Sequence, residues 1–315
     1  MISQSAQDKL VEMEALGMKD AFANAKAFEA LLAESAAAAK APYEAPGYLA
    51  ERVGVFRWEA QDGTPCFTLY PKEMGEEDVW TNARHLLYFH GGGLVMQVGP
   101  PHWGFCMSLV ERLGCCVTVP VYPLLPAHTW QDAHASIVAS YRGLVERLGA
   151  SADSVLVAGD SAGGLLAITL MQLCKCCDIP EPEAVITLSP MTDLSNDVPM
   201  GEKLALEPDD PLIGFAGLGR VPDLWIPEEA DRGQFPPCVL RGPMADLPQQ
   251  WVFAGSRECL LPEIAEYVRR IEEAGSPVVL DVREGMWHTY PLMLDIDEGR
   301  EAFDQIVEIA RSVWG

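Results

Sequence analysis

Six short, nearly continuous apolar runs, each followed by a longer segment, constrain this chain more than any other feature. The runs are RHLLYF (84–89), CCVTVPVY (115–122), SVLVAG (154–159), AVITLS (184–189), QWVFAG (250–255) and PVVLDV (277–282). A strand that is apolar on both sides must be covered on both sides, which is the environment of a parallel sheet between helical layers. The spacing of apolar residues predicts helices over 102–114, 131–150, 162–174, 262–275 and 298–314. Strand and helix in alternation imply right-handed crossovers and an α/β fold with a mostly parallel central sheet flanked by helices.

Two stretches break the alternation. Residues 1–45 are rich in Ala, Glu, Lys and Leu until prolines stop the pattern, which reads as one or two helices. Residues 195–245 are rich in Pro, Gly and acids and too long for an ordinary connection. The expectation is a helical cap over the C-terminal edge of the sheet, made from 1–45 and an insertion at 195–245, on a body formed by 46–194 and 246–315.

Chemistry concentrates at two turns. Gly159-Asp160-Ser161-Ala162-Gly163 lies between a predicted strand and a predicted helix. A tight strand-to-helix turn needs small residues two positions either side of the serine, and it lifts the hydroxyl to the head of a helix whose amides favour negative charge. A GxSxG string alone also arises by chance, so the turn needs support from elsewhere in the chain. The second turn is LLYFHGGGLVM, in which Gly91, Gly92 and Gly93 follow a strand and His90. Glycines there let backbone amides approach a ligand and point at a tetrahedral oxyanion. Gly92, Gly93 and Ala162 are the expected donors, with His90, Gly91 and Asp160 supporting the two turns. A phosphate cradle is the competing reading, but no GK[ST] or GxGxxG pattern follows.

Composition narrows the partners. Against 22 Lys+Arg stand 46 Asp+Glu, a net charge of −24 that repels nucleic-acid phosphates and anionic membrane surfaces. No apolar run approaches the roughly 18 residues of a membrane span and the first residues lack a secretory pattern, so the expected location is the cytoplasm. Nine cysteines, an odd number in a chain of 315 residues, suit reduced thiols. The cluster Cys174, Cys176 and Cys177 has no second ligand group at metal-site spacing, and neither metal nor cofactor is expected.

Taken together, HGGGL (90–94), VPVYPLLPAHTWQDA (119–133), GDSAGG (159–164), LSPMTDLS (188–195) and GMWHTY (285–290) resemble, in order, the hormone-sensitive-lipase-like branch of the α/β-hydrolases, which includes many bacterial carboxylesterases. The resemblance covers roughly residues 80 to 300. It implies an eight-stranded, mostly parallel sheet with a helical cap, small-molecule esters of short to medium acyl chain as substrates, and a homodimer joined through the late strands. Two departures stand out. Ala127 occupies a position where relatives usually carry a glutamate that supports the active-site loops, and Glu258 occupies the usual place of the triad aspartate.

In this architecture the chain order is serine, acid, histidine. Of His85, His90, His102, His128, His134 and His288, only His288 follows Ser161. Three acids compete to orient it. Asp281 lies inside a predicted strand, and Glu263, after Pro262, is explained by the first turn of a helix. Glu258 stands at a strand exit, and its 30-residue separation from His288 matches the family's interval. The expectation is a serine carboxylic-ester hydrolase with Ser161 as nucleophile, His288 as base and Glu258 as orienting acid. An amidase or peptidase on the same fold, and a silent ligand-binding relative, are the alternatives. Trp103 and Trp287 are candidates for the pocket wall or the core.

Overall fold

A computed structural model describes residues 2–82, 84–149 and 155–315; Ala150 and Ser154, each at the end of an expected element, lie outside these. In chain order the elements are α1 (Gln4–Ala15), α2 (Asp20–Ala23), α3 (Ala25–Ala38), β1 (Gly54–Glu59), β2 (Pro65–Tyr70), β3 (His85–Phe89), α4 (Pro100–Leu113), β4 (Cys116–Pro120), α5 (Trp130–Leu148), β5 (Val155–Asp160), α6 (Ala162–Cys176) and β6 (Ala184–Leu188). There follow α7 (Met200–Leu206), α8 (Phe215–Leu218), α9 (Val221–Trp225), β7 (Gln249–Gly255), α10 (Leu261–Glu273), β8 (Val278–Arg283) and α11 (Asp297–Trp314).

All six expected strands form, and they pair in one eight-stranded sheet ordered β1-β2-β4-β3-β5-β6-β7-β8. The remaining two, β1 and β2, are absent from the sequence reading. They form an antiparallel pair, and β2 adds antiparallel to β4, whereas every pairing from β4 to β8 is parallel.

Alternation along each strand explains the continuous apolar runs. Leu87, Phe89, Val155 and Val157 pack with Ile137 of α5, Leu165 and Ile168 of α6 and Ile264 of α10. Leu86, Tyr88, Leu156 and Ala158 point the other way, against Leu109 of α4 and Phe303 and Ile306 of α11. Both faces are therefore core.

The N-terminal segment forms three helices rather than one or two. α1 lies against α11, tied by Ser3, whose hydroxyl donates to Glu298 at 2.7 Å. α2 and α3 instead pack on α8 of the 195–245 segment, with Phe22, Phe28 and Leu218 in one cluster.

Candidate active site

The β5–α6 turn forces Ser161 into φ 52°, ψ −118°, a region that a non-glycine residue rarely adopts. Its neighbours must be glycine: a Cβ on Gly159 would stand 2.4 Å from the Gly163 carbonyl oxygen, and one on Gly163 only 2.0 Å from that of Phe89. The exit of β6 fixes the turn from the side, because the Ser161 amide donates to Leu188 at 2.8 Å and the Ser161 carbonyl accepts from Met191 at 3.0 Å.

β7 and β8 bring the other two groups to the same edge. The Ser161 hydroxyl is 2.9 Å from His288 Nε2, and His288 Nδ1 is 2.8 Å from Glu258 Oε2. Glu258 is fully buried and His288 nearly so. The other Glu258 oxygen accepts the Gly255 amide at 2.8 Å, so both carboxylate oxygens are acceptors and the proton of the neutral ring resides on Nδ1. Nε2 is left facing the serine hydroxyl as an acceptor.

A close approach of two loops makes this possible, since a Cβ on Gly255 would stand 2.4 Å from the Met286 carbonyl oxygen. The histidine loop is further held by the Gly285 amide on Ser256 Oγ and the Thr289 amide on Ser189 Oγ. Burial alone disfavours the charged imidazole, but the carboxylates of Glu258, Asp210 and Asp160 outweigh it and raise the His288 pKa above its ordinary 6.5. Burial likewise lifts the Glu258 carboxyl, opposed by the bond from His288.

The glycine turn lies opposite. Gly92 and Gly93 have φ of +110° and +62°, and among the described residues no group accepts from their amides or from that of Ala162. Gly91 cannot carry a side chain, because its Cβ would meet Asp160 Oδ2 at 2.1 Å; its amide donates to Asp160 Oδ1 at 2.9 Å. Asp160 also accepts from the Tyr88 hydroxyl at 2.6 Å. Burial would raise its carboxyl, but His102, 3.4 Å away, and the Tyr88 bond hold it below the usual range.

His90 Nδ1 donates to the Gly91 carbonyl at 2.8 Å, the ring stacks on Tyr122, and burial lowers its pKa to about 3. His85 and His134 are also buried, and His128 pairs with Asp132 at the surface.

Ser161, His288, Gly92 and Gly93 border a cavity of about 320 Å³ whose other walls include Phe22, Met96, Leu212, Ile213, Leu218 and Met293. Both the N-terminal helices and the 195–245 segment thus reach the site. A groove of about 700 Å³ between β8 and α11 holds none of these groups.

Of the other residues the sequence singled out, only Glu263 departs from its expected role. Trp103 and Trp287 are fully buried and do not line the cavity; their indoles face Tyr43 and the Met293 sulfur, so they belong to the core. Glu263 does stand in the first turn of α10, but its carboxylate turns inward rather than serving the helix end alone. It pairs with the buried Lys203 at 2.6 Å and accepts the Thr192 amide at 2.8 Å, while Lys203 also pairs with Asp193 at 3.0 Å. Ala127 is exposed on a turn.

Phe22 at the cavity wall, and Asp193 and Lys203 as partners of Glu263, were not singled out from the sequence. Only LSPMTDLS carried a signal, since it contains Asp193.

A family model described as alpha/beta hydrolase fold matches residues 86–292, about two thirds of the chain. The chain belongs to the α/β-hydrolase fold family. This hydrolase is 30% identical over 236 residues to the ethyl acetate hydrolase of Pseudomonas putida, covering 71% of each chain. It is 27% identical over 237 residues to the acetyl-hydrolase of Streptomyces hygroscopicus, covering 74% of this chain and 77% of that one. A crystal structure of a hormone-sensitive lipase from a metagenome library superposes with a TM-score of 0.77 at 25% identity, over 99% of both chains. The α/β-hydrolase is thus a carboxylesterase- or lipase-like enzyme of the hormone-sensitive-lipase-like branch.

Proposed function

We propose that this hydrolase cleaves short- to medium-chain acyl esters through an acyl-enzyme on Ser161. The observation that carries the reading is the unbroken line from Ser161 Oγ to His288 Nε2 and from His288 Nδ1 to Glu258, at the floor of a largely apolar cavity.

Ser161 attacks the ester carbonyl as His288 takes its proton, and Glu258 stabilises the imidazolium that forms. The amides of Gly92, Gly93 and Ala162 bind the oxyanion. His288 returns the proton to the departing alcohol, then takes one from water as it attacks the acyl carbonyl, and hands that proton to Ser161 Oγ as the acid leaves. Every proton in this cycle moves through His288. A cavity of about 320 Å³ suits small acyl groups, and the relatives named ethyl acetate hydrolase and acetyl-hydrolase agree with that size.

In this reading the N-terminal segment and residues 195–245 form a cap on a catalytic domain of 46–194 and 246–315. Nine free cysteines fit a reducing, cytoplasmic setting. A homodimer along β8 is part of the proposal, supported by its place at the sheet edge and by the exposed Val279 and Val282.

Turnover of p-nitrophenyl acetate, butyrate, octanoate and palmitate, compared with matched anilides, tests the reading. Acetate and butyrate are expected to be turned over fastest. Faster cleavage of anilides would make the protein an amidase, and inertness of the folded protein toward all of them would make it a binding relative.

A further inference from the structure

Asp210 is a buried carboxylate that the proposed mechanism does not use. It is 1% exposed and lies in the segment between β6 and β7, directly after the 3-10 turn Glu207–Asp209. Its Oδ1 accepts the amides of Leu212 and Ile213 at 2.9 and 3.1 Å, and its Oδ2 accepts the amide of Cys259 at 3.0 Å. Leu212 and Ile213 are walls of the substrate cavity, and Cys259 is the residue after Glu258. One side chain therefore ties the cavity wall to the turn that presents the triad acid.

Among the described residues no cation pairs with it: Arg257, on the same turn, spends its Nε on the Asp209 carbonyl. Burying a charge without a counter-ion is costly, and a site that tolerates it needs a compensating positive charge nearby. The group able to supply one is His288, which becomes an imidazolium in each half of the reaction.

We infer that Asp210 is a positioning residue that places Glu258 and supplies a second negative charge to the imidazolium of His288, so that the acid end of the triad is carried by two carboxylates from different parts of the chain. This rests on the serine-hydrolase reading above. Three carboxylates act on His288: Glu258 from the β7 exit, Asp210 from the insertion and Asp160 from the end of β5. Each favours its charged form, while burial opposes it. Cys259 lies beside Asp210, and burial, followed by Asp210, keeps that thiol protonated.

The sign follows directly. Without the Asp210 charge His288 holds its proton less tightly, so the neutral, active ring persists to lower pH, while the imidazolium-bearing transition state is less stabilised. The test is Asp210→Asn, with kcat, KM and the pH profile of kcat/KM for p-nitrophenyl butyrate, and thermal unfolding in parallel. The expected result is a kcat lower by about tenfold, less than the roughly 10⁴-fold loss when a directly bonded triad acid is removed. The acid limb should move to lower pH, and KM should change by less than about threefold. Asp210→Ser keeps an oxygen for the Leu212 and Ile213 amides without the charge, and it should show the same shift of the limb. An unmoved limb in a folded variant, or a change confined to KM, overturns the inference while leaving the esterase reading intact. If neither variant folds, Asp210 is a folding residue and the inference falls. A wild-type protein inert toward every ester instead removes the reading on which it rests.

Discussion

The Glu258 carboxylate accepts from His288 Nδ1 at 2.8 Å, with Glu258 fully buried and His288 nearly so. A glutamate occupies this place because the chain leaves β7 at Gly255 and turns back, which lets the Gly255 amide hold one carboxylate oxygen while the other reaches the ring. Glu258→Gln keeps the shape but offers an amide group to the ring, so the tautomer is no longer secured. The expected loss in kcat is about 10⁴-fold, read from steady-state hydrolysis of p-nitrophenyl butyrate.

Glu263→Gln should behave differently. It removes one of the two carboxylates that neutralise the buried Lys203, and breaking such a pair costs about 3 kcal/mol. Urea denaturation should show that loss while kcat falls by less than about tenfold. A change of only a few tenths of a kcal/mol would mean that Lys203 is satisfied by Asp193 alone.

Phe22 sets a boundary of the cavity. A Cβ on Gly93 would lie 2.7 Å from its ring, so the ring closes over the glycine turn next to Leu218. Phe22→Ala should lengthen the acyl site and raise kcat/KM for octanoate relative to acetate by about tenfold. An unchanged ratio would place the acyl chain elsewhere.

Acid should unfold this protein through its buried histidines. His85, His90 and His134 have their pKa lowered by burial to about 4, 3 and 3, from an ordinary 6.5. The unfolded chain therefore binds more protons between pH 6.5 and about 4, and stability falls as pH falls through that window, with no contribution from these groups above it. Each histidine adds about 1.4 kcal/mol per pH unit. Denaturant titrations at pH 7.5, 6 and 5 should show the decline, and His134→Gln should flatten it. The raised pKa of His288 acts on activity rather than on this window, and places the acid limb of kcat/KM above pH 6.5.

Much of the site was legible because it depends on local rules. Ser161 sits in a tight strand-to-helix turn whose need for flanking glycines is written in the local GxSxG spacing, although part of the crowding comes from Phe89 on β3, and His288 was selected by chain order alone. The β1–β2 pair escaped because β1 is partly exposed and both strands join the sheet through antiparallel pairing instead of the strand-helix alternation. What could not be read was inter-segment contact. Glu263 has a sufficient local explanation at a helix start, and only the folding of Lys203 onto it shows that its carboxylate serves another segment. Phe22 and Asp210 reach the site from parts of the chain whose composition suggests only helix or loop.

Reaction with a fluorophosphonate probe, followed by intact mass and peptide mapping, tests the central claim most directly. The account predicts a single adduct on Ser161 with loss of ester hydrolysis, and no adduct or turnover in a folded Ser161→Ala variant. A folded wild-type protein that stays unlabelled, or a Ser161→Ala variant that keeps full turnover, would contradict it.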